Sequence, residues 1–160
     1  MFGPGFARHL AARYRKRGLD KTAARMVGYL ADRGIDGASV LEIGGGVGDI
    51  QLELLGKGAS RTTNLELVDA YEADARDLAE SAGMRERMTR RQVDIAATPD
   101  GVEAHDIVVM HRVVCCVSRP RASADGGSRS CQELLHCSAK GAVALEDVKL
   151  AARSLGLMCA

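Results

Sequence analysis

The spacing of apolar positions changes near residue 38. Before it, in a stretch rich in Ala, Leu, Arg and Lys, Ala23, Met26, Val27 and Leu30 recur three and four residues apart. This predicts helix over 7–33. After it, short apolar runs alternate with longer amphipathic stretches. "ASVLEIG" (38–44) predicts a first strand, followed by a helix over about 49–56. "TTNLELV" (62–68) predicts a second strand and "AYEADARDLAESAG" (70–83) a helix that stops near Gly83. "MTRRQVDI" (88–95) predicts a third strand, and "HDIVVMHRVV" (105–114) contains the most apolar one, with a continuous run at 107–110. Strand and helix alternating in this way predict βαβ units, a parallel sheet and the α/β class. Such sheets bind ligands at the C-terminal ends of their strands.

The first of those ends carries four glycines in five positions, in "SVLEIGGGVGDI" (39–50). Glycine weakens regular structure, so the cluster marks a backbone that turns sharply or lets a ligand come close. Spacing narrows the choice of ligand. A dinucleotide fingerprint needs GxGxxG, and counting from Gly44 its third glycine falls on Asp49. A carboxylate there would repel a pyrophosphate, which disfavours a nicotinamide oxidoreductase. A P-loop fails too: around Gly56-Lys57, Gln51 stands where the first glycine is required and Gly58 replaces Ser or Thr.

What remains is Glu-x-Gly-x-Gly-x-Gly, with Glu42, Gly44, Gly46 and Gly48 enclosing Gly45. It resembles the first motif of the class I S-adenosylmethionine-dependent methyltransferases. Three further stretches resemble that family in order and spacing. In "NLELVDAYEADA", Glu66 ends the second strand about 20 residues past the loop, where a carboxylate can accept hydrogen bonds from a ribose diol. In "RRQVDIAA", Asp94 and Ile95 stand where the family contacts the adenine. In "HDIVVMHRVV", Asp106 opens the fourth strand, and the residues after Met110 face the transferred methyl group. The resemblance covers about 15–116. It implies a Rossmann-like parallel sheet with flanking helices, S-adenosylmethionine as cofactor, and direct displacement of its methyl by a nucleophile. "YRKRGLDKTAARMV" is distantly similar to the magnesium-protoporphyrin O-methyltransferases, which implies a small-molecule acceptor.

Each of these residues also has a plainer reading. Glu66 fits an ordinary surface acid at a strand end. His111 fits a general base or substrate contact, and equally a packed or solvated histidine. Arg112 fits an anionic acceptor or an exposed strand-end cation. Cys115, Cys116, Cys131, His136 and Cys137 match no common zinc spacing and read as small hydrophobes, so no metal is expected.

Composition adds limits. With 22 basic and 21 acidic residues, the whole chain carries no polyanion signal, and no nucleic-acid partner is expected. Over 1–33 there are eight Lys or Arg against two Asp, an excess of six positive charges. That excess suits a solvated helical face, a patch for an anionic partner, or an Arg-rich transit segment with no visible cleavage boundary. No apolar stretch approaches the ~20 residues of a membrane span. No signal-peptide core is apparent at the N-terminus, and five cysteines without CxxC pairing suit reduced thiols. A cytoplasmic protein is the expectation.

All five aromatic residues lie in the first 71 positions. After Cys116 the chain turns to "VSRPRASADGGSRSCQ", unlike the helix that should follow a fourth strand. The expected organisation is therefore a basic helical segment (1–37), a cofactor-binding core (38–116) and an atypical tail (117–160). A short helix at "SCQELLHCS" and a fifth strand at 141–148 would leave four to five strands instead of the family's seven. The alternative is a tail that does not continue the native chain. A one-nucleotide shift of one possible encoding of 117–124 gives Tyr-Pro-Asp-Arg-Glu-Arg-Leu, similar to the turn and helix start seen in the family, which points to a reading-frame change at or just after Cys116. In that case a cofactor-binding domain without activity becomes the alternative function.

Overall fold

The computed structural model describes residues 3–93 and 102–112. They form a four-stranded, all-parallel sheet in the order β3-β2-β1-β4, with β1 at Ser39–Ile43, β2 at Arg61–Glu66, β3 at Met88–Gln92 and β4 at Ile107–Met110. The α/β class and flanking helices expected from the sequence are present. Asp94, Ile95, every cysteine and the tail with its expected short helix and fifth strand lie outside the described residues.

The expected helix over 7–33 is two helices, α1 (Pro4–Arg17) and α2 (Lys21–Ala31). The break has a local cause. Gly18 leaves α1 with φ 68°, and Asp20 caps α2 by accepting from the Thr22 and Ala23 N–H groups at 2.9 and 3.1 Å. Arg15, Lys16 and Arg17 are exposed in the last turn of α1, where cations complement the helix dipole. Helix α3 (Asp49–Gly56) follows the glycine loop, and α4 (Glu72–Ser81) connects β2 to β3.

The main core fills the space between one face of the sheet and these helices. Val40, Met88 and Val109 meet Leu54 and Leu55 of α3, Leu78 of α4, Val27 and Leu30 of α2, and Ala7 and Ala11 of α1. Ala7 and Ala11 stand four residues apart on one stripe of α1 and are fully buried. The N-terminal helices are thus part of the same core as the sheet. On the opposite face Leu41, Ile43, Leu65 and Val102 form a smaller cluster.

The two ends of the sheet are built differently. At the N-terminal end, Asp106 accepts from the Ser39 N–H at 2.8 Å and from its hydroxyl at 2.6 Å, tying β4 to β1. Those bonds hold the Asp106 carboxyl below its ordinary pKa. His105 is buried against the Thr63 hydroxyl at 2.9 Å. The C-terminal end carries the glycine loop.

Candidate functional site

Glu42, Asn64 and Arg90 share one register line across β1, β2 and β3, so their side chains stand side by side on the helix-covered face. All three lie inside the protein: Glu42 is 1% exposed, Asn64 0%, and the Arg90 side chain 8%. Above this row runs the loop from Gly44 to Gly48. Its backbone is held mainly by side chains from below. The Gly45 N–H donates to Asn64 Oδ1 at 3.0 Å, and the Gly46 N–H to Glu66 Oε2 at 2.9 Å. Arg90 Nη2 donates to the Gly46 carbonyl at 2.7 Å. Within the loop itself, the Gly48 N–H bonds the Gly45 carbonyl at 2.8 Å.

The glycines at 45 and 46 answer different needs. A Cβ at Gly45 would collide with Glu42 Oε2 and lie 3.0 Å from Asn64 Cγ, so a larger residue here would have to displace the buried Glu42 carboxyl. At Gly46 the backbone has φ +52°, and a Cβ would meet nothing within 4 Å. The loop is therefore packed tightly on its inner side at Gly45 and open at Gly46. Such a surface lets a ligand approach the backbone closely.

Glu66 stands at the rim of this opening. Its Oε1 accepts from the Leu67 and Val68 N–H groups at 2.9 and 3.0 Å, while Oε2 takes only the Gly46 N–H. The remaining acceptor capacity of the carboxylate is on Oε2. From Glu66 a cleft of about 110 Å³ runs past Asp69 and Glu72 to Arg90 and Gln92, along the ends of β2 and β3.

The acids near the loop are electrostatically unusual. Burial pushes the Glu42 carboxyl up to about 8, Asp49 adds to this, Arg90 opposes it, and Glu66 adds a little more. Glu42 Oε2 has no hydrogen-bond partner among the described residues. Asp49, at the start of α3, is also raised by burial, against the bond it accepts from the Ile50 N–H at 3.1 Å. A buried acid without a partner is costly unless it stays protonated or meets a cation.

His111 and Arg112 follow β4 at the same end of the sheet. Burial lowers the His111 pKa, Asp20 opposes this, and the imidazole is therefore neutral near pH 7. Its Nε2 is buried without a partner among the described residues. Arg112 has φ 60°, and its guanidinium lies 3.3 Å from Asp20. The Arg112 head group is thus engaged at the N-terminus of α2.

Among the residues expected from the sequence, the structure gathers Glu42, Gly44, Gly45, Gly46, Gly48 and Glu66 around one opening and sets His111 and Arg112 beyond the end of neighbouring β4. Sequence reasoning missed Asn64, Glu72 and Arg90. The signal was available for Arg90: in "MTRRQ" the period of two puts it on the face of buried Met88, where an arginine needs a reason to be.

No protein-family model matches the chain, and no curated protein matches it in sequence. Solved structures do match in fold. A candidate S-adenosyl-L-methionine-dependent methyltransferase of Methanococcus maripaludis aligns with a TM-score of 0.57 at 17% identity, over 72% of this chain and 52% of its own. The magnesium protoporphyrin IX methyltransferase of Synechocystis, solved with bound S-adenosylhomocysteine, aligns with a TM-score of 0.51 at 23% identity, over 59% of this chain and 42% of its own. A candidate RNA methyltransferase of Pyrococcus horikoshii aligns with a TM-score of 0.50 at 19% identity, over 56% and 43%. The fold is the Rossmann-like one of these methyltransferases, and the chain spans about half or less of their length. Among the described residues no cluster could hold a metal ion, and no helix is long and apolar enough to cross a membrane.

Proposed function

We propose that the protein is a methyltransferase that takes its methyl group from S-adenosylmethionine and delivers it to a small-molecule acceptor. The observation that carries this reading is the loop at Gly46, open on its outer side and bordered by the Glu66 carboxylate, with unpartnered Glu42 Oε2 buried beneath neighbouring Gly45. Three acids around one glycine loop suit a ligand with positive centres and no phosphate. They would repel a pyrophosphate placed on the same loop. S-adenosylmethionine fits, since it would bring positive centres instead of phosphates to a loop set among acids and its ribose offers hydroxyl donors to Glu66.

The bound cofactor supplies a methyl group on a positively charged sulfur. The protein's part is to align two reactants and keep water away. Glu66 Oε2, beside Gly46, is the acceptor for a ribose hydroxyl. The cleft along Asp69 and Gln92 has the position for the base; the family resemblance implies adenine contacts from Asp94 and Ile95, which lie outside the described residues. Gly44, Gly45, Gly46 and Gly48 let the backbone lie against the ligand. His111, neutral near pH 7, is the proton acceptor for a weakly acidic nucleophile. Arg112, steadied by Asp20, is the group for an anionic acceptor. In this reading 38–116 is the cofactor-binding unit, α1 and α2 of the N-terminal segment pack into its core, and the cytoplasm is the proposed location.

Titration calorimetry with S-adenosylmethionine, S-adenosylhomocysteine and NAD tests the cofactor. Transfer of labelled methyl to a panel of small O-, N-, S- and C-nucleophiles, with a structured RNA alongside, tests the acceptor. Binding of both sulfur compounds and methylation of a small molecule is the expected result. Preference for NAD overturns the reading, labelled RNA alone corrects the acceptor class, and binding without any turnover leaves a cofactor-binding domain.

A further inference from the structure

Arg90 lies on β3, an edge strand among the described residues, yet its side chain is 8% exposed. Arginine is almost never buried without partners. Two are visible: Nε donates to Glu72 Oε2 at 2.9 Å and Nη2 to the Gly46 carbonyl at 2.7 Å. The third nitrogen, Nη1, is buried beneath Gly48 with no partner among the described residues. A Cβ on Gly48 would come within 3.3 Å of it.

Gly46 is thereby gripped at both of its peptide groups by side chains from two strands: its N–H by Glu66 of β2 and its carbonyl by Arg90 of β3. Glycine at φ +52° has many alternative conformations, so the grip selects one of them. A charged donor to a carbonyl is among the stronger hydrogen bonds, and the planar guanidinium can hold Glu72 and Gly46 together in one geometry. In a trans peptide the N–H points away from the C=O. Holding the Gly46 carbonyl toward Arg90 therefore turns the Val47 N–H the other way.

We infer that Arg90, oriented by Glu72, is a positioning residue that fixes the Gly46 peptide in the conformation that receives the cofactor. This rests on the proposed cofactor reading and adds to it a residue outside the glycine motif. Arg90 acts through Gly46, and Glu72 acts through Arg90.

The test is calorimetric titration of S-adenosylhomocysteine into the unaltered protein and into Arg90→Met, Arg90→Lys and Glu72→Gln, with a melting curve for each. Calorimetry separates the dissociation constant from the fraction of sites that bind. A residue that only supports folding lowers the melting temperature and the binding fraction while the folded remainder keeps its affinity. A positioning residue changes the affinity of that folded remainder. The expected result is at least tenfold weaker binding in Arg90→Met at similar stoichiometry, with Arg90→Lys between it and the unaltered protein. The Glu72 side chain is 49% exposed, so Glu72→Gln leaves folding intact and should weaken binding two- to fivefold even if Arg90→Met fails to fold. Unchanged dissociation constants in Glu72→Gln and Arg90→Lys overturn the inference alone. Failure of the unaltered protein to bind either sulfur compound overturns the cofactor reading and this inference with it.

Discussion

Val40, Thr62, Met88 and Ile107 form one cross-strand row on the helix-covered face of the sheet; Val109, Glu42, Asn64 and Arg90 form the next, two residues further along each strand. The backbone of the two rows is the same, and both rows are buried except for partly buried Ile107 and Arg90. Their chemistry is not. The first is apolar apart from the Thr62 hydroxyl and packs against the helices. The second places an acid, an amide and a guanidinium where apolar residues would be more stable, and several of their polar atoms lack partners. The second row supplies the side-chain hydrogen bonds to the glycine loop from Asn64 and Arg90, whereas the first reaches it only through the apolar end of Met88 beneath Gly48. One step along the strands separates a row that holds the fold together from a row that sets the shape of a binding surface. Real proteins tend to break the rules of a good core at functional sites.

The sharpest way to break this contrast is at the loop the second row supports. Gly46→Val puts a side chain into the open space that the cofactor would occupy and forces a β-branched residue to φ +52°. The backbone strain costs about 1–3 kcal/mol, which a folded domain can survive. Cofactor binding should be lost while circular dichroism and the melting transition remain close to those of the unaltered protein. If calorimetry finds the original affinity, the loop is only a turn, and the second row serves no ligand.

Glu42→Gln tests whether the second row lowers stability, as the comparison requires. The Glu42 carboxyl ionises near 4.5 when unfolded and at about 8 in the folded protein. Between those values the folded state holds a proton that the unfolded state has released, so stability falls as pH rises from 4.5 to 8 and then levels. Glutamine has no such titration. The variant should match the unaltered protein near pH 4 and exceed it by several kcal/mol near pH 9, at about 1.4 kcal/mol per pKa unit. Melting temperatures of the two proteins across that range decide it, and parallel curves would place Glu42 in an ordinary environment.

The sheet was legible because its strands are short apolar runs separated by amphipathic helices, a pattern that survives without any knowledge of contacts. The break in the N-terminal helix was not, although Gly18 and Asp20 were both in view: the helical spacing of Ala23, Met26, Val27 and Leu30 outweighed a turn of three residues. The glycine loop and Glu66 could be read because spacing and residue type alone point to them. Asn64 could not, since its role arises from the parallel register of strands far apart in sequence; for Arg90 the period of two shared with Met88 marked its face, and only the register showed what it meets there. Arg112 looked like a free cation at a strand end, and its pairing with Asp20 spans 92 positions that no local pattern bridges.

Glu66→Ala sharpens the comparison at the rim of the site. Loss of a charged hydrogen bond to a ribose should weaken cofactor binding by about 1–3 kcal/mol. The same carboxylate also accepts from Gly46, Leu67 and Val68, so some stability should be lost with it. Glu66→Gln keeps an acceptor oxygen but lacks the charge, and its affinity should fall between the two. A dissociation constant that stays the same in both variants would remove Glu66 from the site.

The smallest effect on binding is expected one row down. Val40 is fully buried in β1 and lies in register with Thr62 and Ile107, two residues before Glu42. Val40→Ala removes two buried methyl groups, so the transfer and cavity costs together come to roughly 1–3 kcal/mol of stability. That is comparable to the binding energy at stake in Glu66→Ala, but it should appear only in the melting transition. The loop is bonded by Asn64, Glu66 and Arg90, and none of these bonds passes through Val40. Calorimetry on Val40→Ala below its melting temperature should therefore return the original cofactor affinity. A matching loss of affinity would mean that the two rows act as one unit, and that the division of labour between them is not real.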